Sequence, residues 1–207
     1  ARVSRLKELL KMRTRIAVDL HDDIGSTLSS INIMSEVAKQ KAPQSSAFLE
    51  KIGSDAQLMQ QNMSDIVWAI NPKNDHFENI IQRMKMFASE ILEARNIELA
   101  FSADETLNDA KLSMNARKDF YFIFKEAITN IAKYAACKNA AVKISLHNKT
   151  VDLLVQDDGH GFDPAHQTMG GNGLYNMQKR AKDLNGTLKI DSQKGKGTTV
   201  HLQFKIT

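Results

Sequence analysis

The sequence predicts two parts of different fold class: an all-α helical hairpin that forms a dimeric four-helix bundle, followed by an α+β sandwich. Through the first 71 residues, apolar side chains recur every three or four positions, as in amphipathic helices. After residue 96, short alternating segments separated by glycine-rich stretches are typical of strands and turns. A hydrophobic fraction of 42% in 207 residues is enough for one or two apolar cores.

The first predicted helix covers residues 2–41 and ends at a break, Ala42-Pro43. Pro43 suits the first turn of a second helix, for which Ser45 and Ser46 are candidate N-terminal caps. We therefore expect a short loop between two long helices. The apolar stripe of the first helix comprises Leu6, Leu9, Ile16, Leu20, Ile24, Leu28 and Ile31.

The second predicted helix ends at Asn71-Pro72, because a residue before proline resists helical geometry. From Leu49 to Ile70 its apolar residues alternate steps of three and four, which gives a seam of the coiled-coil type. Two such helices joined by a short loop form an antiparallel hairpin, which we predict as a domain over residues 1–72. One hairpin leaves part of both stripes in water, so we expect a homodimer.

Residues 73–96 are predicted to form a helical connector, with its helix over residues 76–95. The remaining residues, 97–207, mix helices and strands without regular alternation. That mixture favours one mostly antiparallel sheet with helices on one face. The predicted helices cover residues 115–136 and 174–184, and the predicted strands cover residues 97–101, 141–147, 151–156, 187–191 and 200–206.

Composition argues against several classes of protein. The net charge of +4 is mild and the basic residues are scattered, so we expect no nucleic-acid partner. No apolar run approaches the ~20 residues of a membrane span. Cys137 is the single cysteine, so an internal disulfide is excluded and a reducing compartment is expected. Because the chain begins at Ala1 already in a helical pattern, we expect a cytoplasmic fragment whose missing N-terminal part carries any membrane anchor.

His21 is the first candidate functional residue. It lies one position beyond Leu20 of the apolar stripe, so its imidazole should reach solvent at the rim of a helix bundle. Asp22 follows directly and could orient or deprotonate the ring. Histidine can be neutral and nucleophilic near pH 7. The alternative is a solvated histidine on an amphipathic helix, and this stretch alone leaves both interpretations open.

A second group of candidates lies on the predicted helix 115–136. Glu126, Asn130 and Lys133 are separated by four and three residues, so they project to one side of a helix. The oxygens of an asparagine and a glutamate one turn apart suit Mg²⁺ and its water molecules. A lysine near them can neutralise phosphate charge.

Three glycine clusters lie at junctions between predicted elements, where backbone can approach a ligand closely. The glycine-rich start of the helix at Leu174 offers backbone N–H groups and a positive dipole end to a phosphate. Asp157, at the end of a strand, can accept a hydrogen bond from an exocyclic amine. The clusters cover residues 157–161, 170–174 and 195–199.

With these residues in this order, the region 115–207 resembles the ATP-binding domain of sensor histidine kinases, in the GHKL (Bergerat-type) ATPase superfamily. The resemblance implies that Asn130 ligates Mg²⁺, that Glu126 assists at the metal or as a base, and that Asp157 binds the adenine amine of ATP with support from Thr198. Residues 162–170 would form a mobile lid. The matching motifs are the N box (Glu126, Asn130, Lys133, Tyr134), the G1 box (Asp157, Gly159, Gly161), the G2 box (Gly171, Gly173, Leu174) and the G3 turn (Gly195, Gly197, Thr198).

The hairpin resembles the dimerisation and phosphotransfer domain of the nitrate-sensor-like branch of these kinases, in which an acidic residue follows the acceptor histidine, as in His21-Asp22. The resemblance implies autophosphorylation of His21 and transfer to an aspartate on the receiver domain of a response regulator. Ser26 stands where the branch often has the glutamine implicated in dephosphorylation, so the sequence predicts kinase activity and leaves phosphatase activity open. Tyr134 stands where the N box often has histidine, and we expect no loss of binding from it.

Two alternative functions are compatible with parts of the pattern. A GHKL ATPase or serine protein kinase would lack the histidine-bearing hairpin, and its phosphorylated product would resist acid. A degenerate transmitter would serve as a dimeric scaffold and would bind no nucleotide. The intact Asn130, Asp157 and glycines favour the histidine kinase.

Overall fold

The computed structural model describes residues 10–14, 16, 24–41, 45–108, 110–163 and 173–206. It divides into two compact units, residues 1–74 and residues 75–207. Within the described ranges, no helix combines the length and the apolar character that crossing a bilayer requires.

The first unit contains two long helices, α1 (Gly25–Lys41) and α2 (Ser46–Ile70), and residues 10–14 are also helical. Asn71 adopts an extended conformation after α2, as expected for a residue before proline. Ser45 precedes α2, as predicted, but its side chain makes no capping hydrogen bond. The ends of both helices therefore follow the sequence pattern, whereas the predicted start of the first helix at residue 2 lies outside the described residues and the expected side-chain cap is absent at Ser45.

The helices of the first unit run antiparallel, as predicted. Lys39, near the end of α1, forms an ion pair of 2.8 Å with Glu50 near the start of α2. At the other end of the unit, Nε of Arg13 donates to the carbonyl oxygen of Ile70 at 2.9 Å. Between them, Ser29 Oγ accepts a hydrogen bond from the side chain of Gln60. The beginning of one helical segment therefore lies beside the end of the other.

Much of the apolar surface of this hairpin is exposed. Among its described residues, the buried apolar side chains are Leu28, Ala56, Met63 and Ala69. By contrast, Phe48 is 78% exposed and Met34 is 67% exposed. The other large apolar side chains that are exposed among the described residues of this unit are Met12 and Ile16 before α1, Ile24, Ile31, Ile33 and Val37 in or beside α1, and Ile52, Leu58, Met59 and Ile66 on α2.

The second unit begins with helix α3 (Phe77–Glu93), which lies in the region predicted as a connector over residues 73–96. Its apolar face is fully buried at Phe77, Ile80, Met84, Ala88 and Leu92. The ring of Phe77 packs against the ring of Phe120, with centroids 5.6 Å apart. The helix belongs to the second unit because this face completes that unit's core.

Five strands form one sheet in the described part of this unit. They are β1 (Glu98–Ala103), β2 (Asn139–His147), β3 (Thr150–Asp157), β4 (Thr187–Ser192) and β5 (Thr198–Lys205), in the order β1-β2-β3-β5-β4. Three of the neighbouring pairs are antiparallel, and β1 pairs with β2 in parallel. Helix α4 (Met114–Asn130) lies between β1 and β2 in the chain and provides the connection that a parallel pair requires.

The sheet buries one face. Burial alternates along β3, where Val151, Leu153 and Val155 are buried and their neighbours are not. On the covered side, Phe120 of α4 packs against Phe204 of β5, with ring centroids 5.4 Å apart. Helix α5 (Gly173–Asp183) completes the helical layer. The second unit is therefore an α+β sandwich, as predicted.

The helix predicted over residues 115–136 changes its hydrogen-bond register at Asn130. It is α-helical over Met114–Asn130 and continues as a π-helical turn over Ile131–Ala135. Ala136 then takes a left-handed conformation, with φ of 48°, and ends the segment. A π-turn is wider than an α-turn, so residues after Asn130 point in directions that a regular helix would not give them.

Candidate functional site

A cavity of about 390 Å³ lies in the second unit, between the helical layer and the ends of three strands. Its floor is apolar and includes Val155, Ile190 and Val200. The cavity brings together eight of the residues singled out in the sequence: Glu126, Asn130, Tyr134, Asp157, Gly161, Gly173, Leu174 and Thr198.

The other predicted site residues lie elsewhere or outside the described residues. Lys133 is exposed on the π-turn and does not line the described cavity. Gly159 is buried beside Ala135, where a Cβ would overlap the carbonyl oxygen of Ala135. His21, Asp22 and Gly171 lie outside the described residues, as does most of the predicted lid over residues 162–170.

Asp157 is the acid that lines the cavity at the end of β3. Its Oδ1 accepts a hydrogen bond from the backbone N–H of Gly159 at 2.9 Å. Burial raises the pKa of the Asp157 carboxyl above its usual value, although the backbone amides of Gly159 and Thr198 partly oppose this. A half-buried carboxylate with unused acceptor positions is costly unless a donor pairs with it. The cavity therefore favours a ligand with N–H donors at this point.

The neighbouring acid, Asp158, has the opposite electrostatic setting. Its carboxylate accepts hydrogen bonds from the backbone amides of Lys138 and Asn139, both at 2.9 Å, and from the Asn139 side chain at 2.7 Å. The bonds from Asn139, followed by the bond from Lys138, lower the pKa of Asp158. Asp158 therefore secures the start of β2, while Asp157 remains available to a ligand.

Two glycines allow the turns beside Asp157 to approach each other. Gly161 has φ of 59° and Gly197 has φ of 75°, a region that residues with a Cβ rarely adopt. A Cβ at Gly197 would overlap the carbonyl oxygen of Asp157, and a Cβ at Gly161 would overlap that of Gln193. Any side chain at either position would therefore displace the backbone that forms this end of the cavity.

Glu126 and Asn130 lie one helical turn apart on α4, and both line the cavity. The first residue of α5, Gly173, packs directly on Glu126, because a Cβ at Gly173 would overlap Oε1 of Glu126. The two side chains provide hard oxygen atoms close to the start of α5, where helical N–H groups attract anions. This donor set fits Mg²⁺, which usually takes one or two protein oxygens together with phosphate and water.

Helix α5 is held against α4 by contacts that the sequence did not reveal. Nη1 of Arg180 lies 2.7 Å from Oδ1 of Asp119, which is almost fully buried. The Arg180 guanidinium also stacks over the ring of Phe122, 4.6 Å from its centroid. Arg180 therefore positions the helix whose first residues line the cavity. An acid on one helix and a base on another, 61 positions apart, leave no periodic signal in a single sequence.

The α+β sandwich and the residues in its cavity define an ATPase class. Residues 115–207 match the family described as histidine kinase-, DNA gyrase B- and HSP90-like ATPase. Residues 13–75 match a second family, described as histidine kinase. The chain belongs to the sensor histidine kinases, as a two-component transmitter of the GHKL type.

Relatives of the chain include two sensor kinases. The sensor histidine kinase DesK of Bacillus subtilis is 31% identical over 208 residues, covering 95% of this chain and 52% of DesK. The histidine-protein kinase/phosphatase UhpB of Salmonella typhimurium is 27% identical over 216 residues, covering 98% of this chain and 42% of UhpB. The chain thus spans about half the length of the curated relatives that it matches.

The fold is also similar to a solved structure, the histidine kinase domain of the blue-light activated histidine kinase of Erythrobacter litoralis EL346. The TM-score is 0.56 with 15% sequence identity, and the likeness covers 98% of this chain and 94% of that domain. The comparison supports the architecture of a helical part followed by an α+β sandwich.

Proposed function

We propose that this chain is an ATP-dependent protein-histidine kinase that phosphorylates His21 and passes the phosphoryl group to an aspartate of a response regulator receiver domain. The observation that carries the proposal is the convergence of Asp157, Asn130 and Glu126 in one cavity of a GHKL fold. A chain with this cavity and a histidine kinase hairpin has both the parts that autophosphorylation needs.

In this proposal the cavity holds ATP with its adenine beside Asp157 and Thr198. The phosphates lie towards Glu126, Asn130 and the start of α5, where N–H groups and the helix dipole favour negative charge. Mg²⁺, bound by Asn130 with help from Glu126, would neutralise charge that develops on the transferring phosphoryl group. Tyr134, at the rim, would cover the ribose or the phosphates. Gly171 remains a predicted contact of the phosphates, and Lys133, which does not line the cavity, remains predicted to offset their charge.

His21 is the proposed nucleophile. Asp22 holds or deprotonates Nδ1, so that the lone pair of Nε2 attacks the γ-phosphorus. A nitrogen–phosphorus bond forms, the bond from phosphorus to the bridging oxygen breaks, and ADP leaves. The phosphoramidate is labile enough to pass its phosphoryl group to a carboxylate of the receiver domain.

The experiment that tests this function is incubation of the chain with γ-labelled ATP, followed by treatment of the protein with acid or alkali. We expect label that survives alkali and disappears in acid. Acid-stable label would instead indicate a serine kinase. A chain that neither binds ATP nor takes up label would be a scaffold.

We further propose that the chain is a homodimer through the apolar stripes of α1 and α2. Fully burying one leucine or isoleucine contributes about 1.5–3 kcal/mol, so the exposed side chains of the hairpin represent a large potential gain. A second hairpin related by two-fold symmetry would cover them in a four-helix bundle. The exposure of Ile24, Ile31 and Ile66 supports this assembly.

Ile24→Asp is expected to give monomers, because a charge in the dimer core would lose its hydration. The measurement is the molar mass by light scattering at micromolar concentration. Met86→Asp is the matched control, since Met86 is exposed on α3, outside the hairpin, and that variant should remain dimeric. A monomeric wild-type chain would contradict the proposed assembly.

Asp157 is expected to select ATP over GTP, because the exocyclic amine of adenine can donate to the carboxylate whereas the oxygen of guanine cannot. An unpaired buried polar group costs about 1–3 kcal/mol, so GTP should bind roughly 10- to 100-fold more weakly. Asp157→Asn should lose most of this preference. The measurement is calorimetry, with the exposed Asp191→Asn as a control that should keep it. Equal affinities of the wild-type chain for both nucleotides would refute the assignment.

A further inference from the structure

Ser192, the last residue of β4, connects three segments around the cavity through one hydroxyl group. Its Oγ accepts a hydrogen bond of 2.8 Å from the backbone N–H of Phe162. The same oxygen lies 3.2 Å from the carbonyl oxygen of Gly197 and 3.0 Å from Oγ1 of Thr198. Phe162 and Thr198 line the cavity, and Ser192 lies behind them.

The chemistry of these three partners determines the direction of each hydrogen bond. A serine hydroxyl has one donor and two acceptor sites. The N–H of Phe162 can only donate, and the carbonyl oxygen of Gly197 can only accept. Ser192 therefore gives its single proton to Gly197, and its remaining acceptor site takes the hydroxyl proton of Thr198. With that proton engaged, Oγ1 of Thr198 presents only lone pairs to a ligand.

Thr198 then stands beside Asp157 as a second acceptor. The two residues pair across β3 and β5, and both line the cavity. An ionised carboxylate is also acceptor-only. A primary amine has two N–H donors and matches two acceptors, whereas a carbonyl oxygen at the same place would face unfavourable contacts with both.

We infer that Ser192 is a positioning residue for nucleotide selectivity: it directs the hydroxyl of Thr198 so that Oγ1, together with Asp157, accepts from the exocyclic amine of adenine, directly or through one water molecule. The inference rests on the proposed binding of ATP in this cavity. Ser192 does not itself touch the base, but through Thr198 it determines which hydrogen-bonding pattern the cavity accepts.

The test compares two nucleotides on the full chain carrying Ser192→Ala. ATP has the exocyclic amine, and purine riboside triphosphate lacks it. We expect the affinity for ATP to fall about 5- to 10-fold, the loss of one oriented hydrogen bond, while the affinity for purine riboside triphosphate changes less than about twofold. Calorimetry measures both. An equal loss for the two nucleotides, or no loss for ATP, would overturn the inference.

A double-mutant cycle identifies the route of the effect. Because Ser192 is proposed to act through Thr198, adding Ser192→Ala to Thr198→Val should cost little further ATP affinity. Additive losses would contradict this route. Ser102→Ala is the matched control, since it removes a strand hydroxyl that bonds to the carbonyl oxygen of Val142 on β2, and its affinities should stay unchanged.

If alanine at position 192 lowers the unfolding temperature, Ser192→Cys replaces it in the same comparison. A thiol has similar size and accepts hydrogen bonds only weakly, so the selective loss for ATP should persist. A wild-type chain that binds neither nucleotide would contradict the proposed function itself. A wild-type chain that binds ATP, with unaltered selectivity in the Ser192 variants, would contradict this inference alone.

Discussion

His21→Gln is expected to remove all phosphorylation of the chain. Glutamine is of comparable size and tolerates a helix, but it has no nucleophilic nitrogen that could attack the γ-phosphorus. The measurement is uptake of label from γ-labelled ATP over time, with ATP affinity determined in parallel. We expect uptake to fall to background while ATP still binds, because the cavity residues are unchanged.

A second histidine provides the control for this variant. His147→Gln alters an exposed residue at the end of β2, outside the cavity, and should leave the rate of labelling unchanged. Label that persists in His21→Gln would show that another residue accepts the phosphoryl group. In that case, the stability of the remaining label in acid would distinguish a hydroxyl acceptor from a second imidazole.

Asn130→Asp is expected to reduce autophosphorylation by about 100-fold or more, a loss typical of removing one electrostatic contact to a reacting group. The variant keeps the shape of the side chain, but it replaces the amide by a second carboxylate beside Glu126. That charge would repel the phosphates and disturb the binding of Mg²⁺. The measurements are the rate of labelling and the circular dichroism spectrum, which should not change.

The control for this substitution is Asn96→Asp. Asn96 lies in the turn before β1 with φ of 56°, a conformation that aspartate also tolerates. Asn96→Asp introduces the same negative charge away from the cavity, so labelling should proceed at the wild-type rate. Full activity of Asn130→Asp would count against the metal assignment, and loss of activity in both variants would point to net charge as the cause.

Most elements were predictable from the sequence because their signals are local. The periodic apolar residues predicted both helices of the hairpin, and alternation predicted the strands to within a few residues. The parallel pairing of β1 with β2 was not predicted, since it joins segments separated by the whole of α4. Alternation within a strand says nothing about the direction of its neighbour.

The candidate site was predictable in part. Glu126 and Asn130 were expected on one side of a helix, and both line the cavity. Asp157, at the end of its strand, lines the same cavity. Lys133 lies away from it because the π-turn interrupts the α-helical spacing on which the expectation depended. Ser192 and Arg180 were missed because their roles come from contacts with distant segments, which one sequence does not encode as a pattern.

The strand order has a consequence for aggregation. Strands β1 and β4 form the two edges of the sheet, and an unpaired edge offers backbone groups to any exposed strand nearby. On β4, however, Lys189 and Asp191 are exposed and form an ion pair of 2.8 Å. Charges on an edge strand make the joining of sheets from different molecules costly. Growth of the sheet by pairing of a second molecule with β4 is therefore disfavoured.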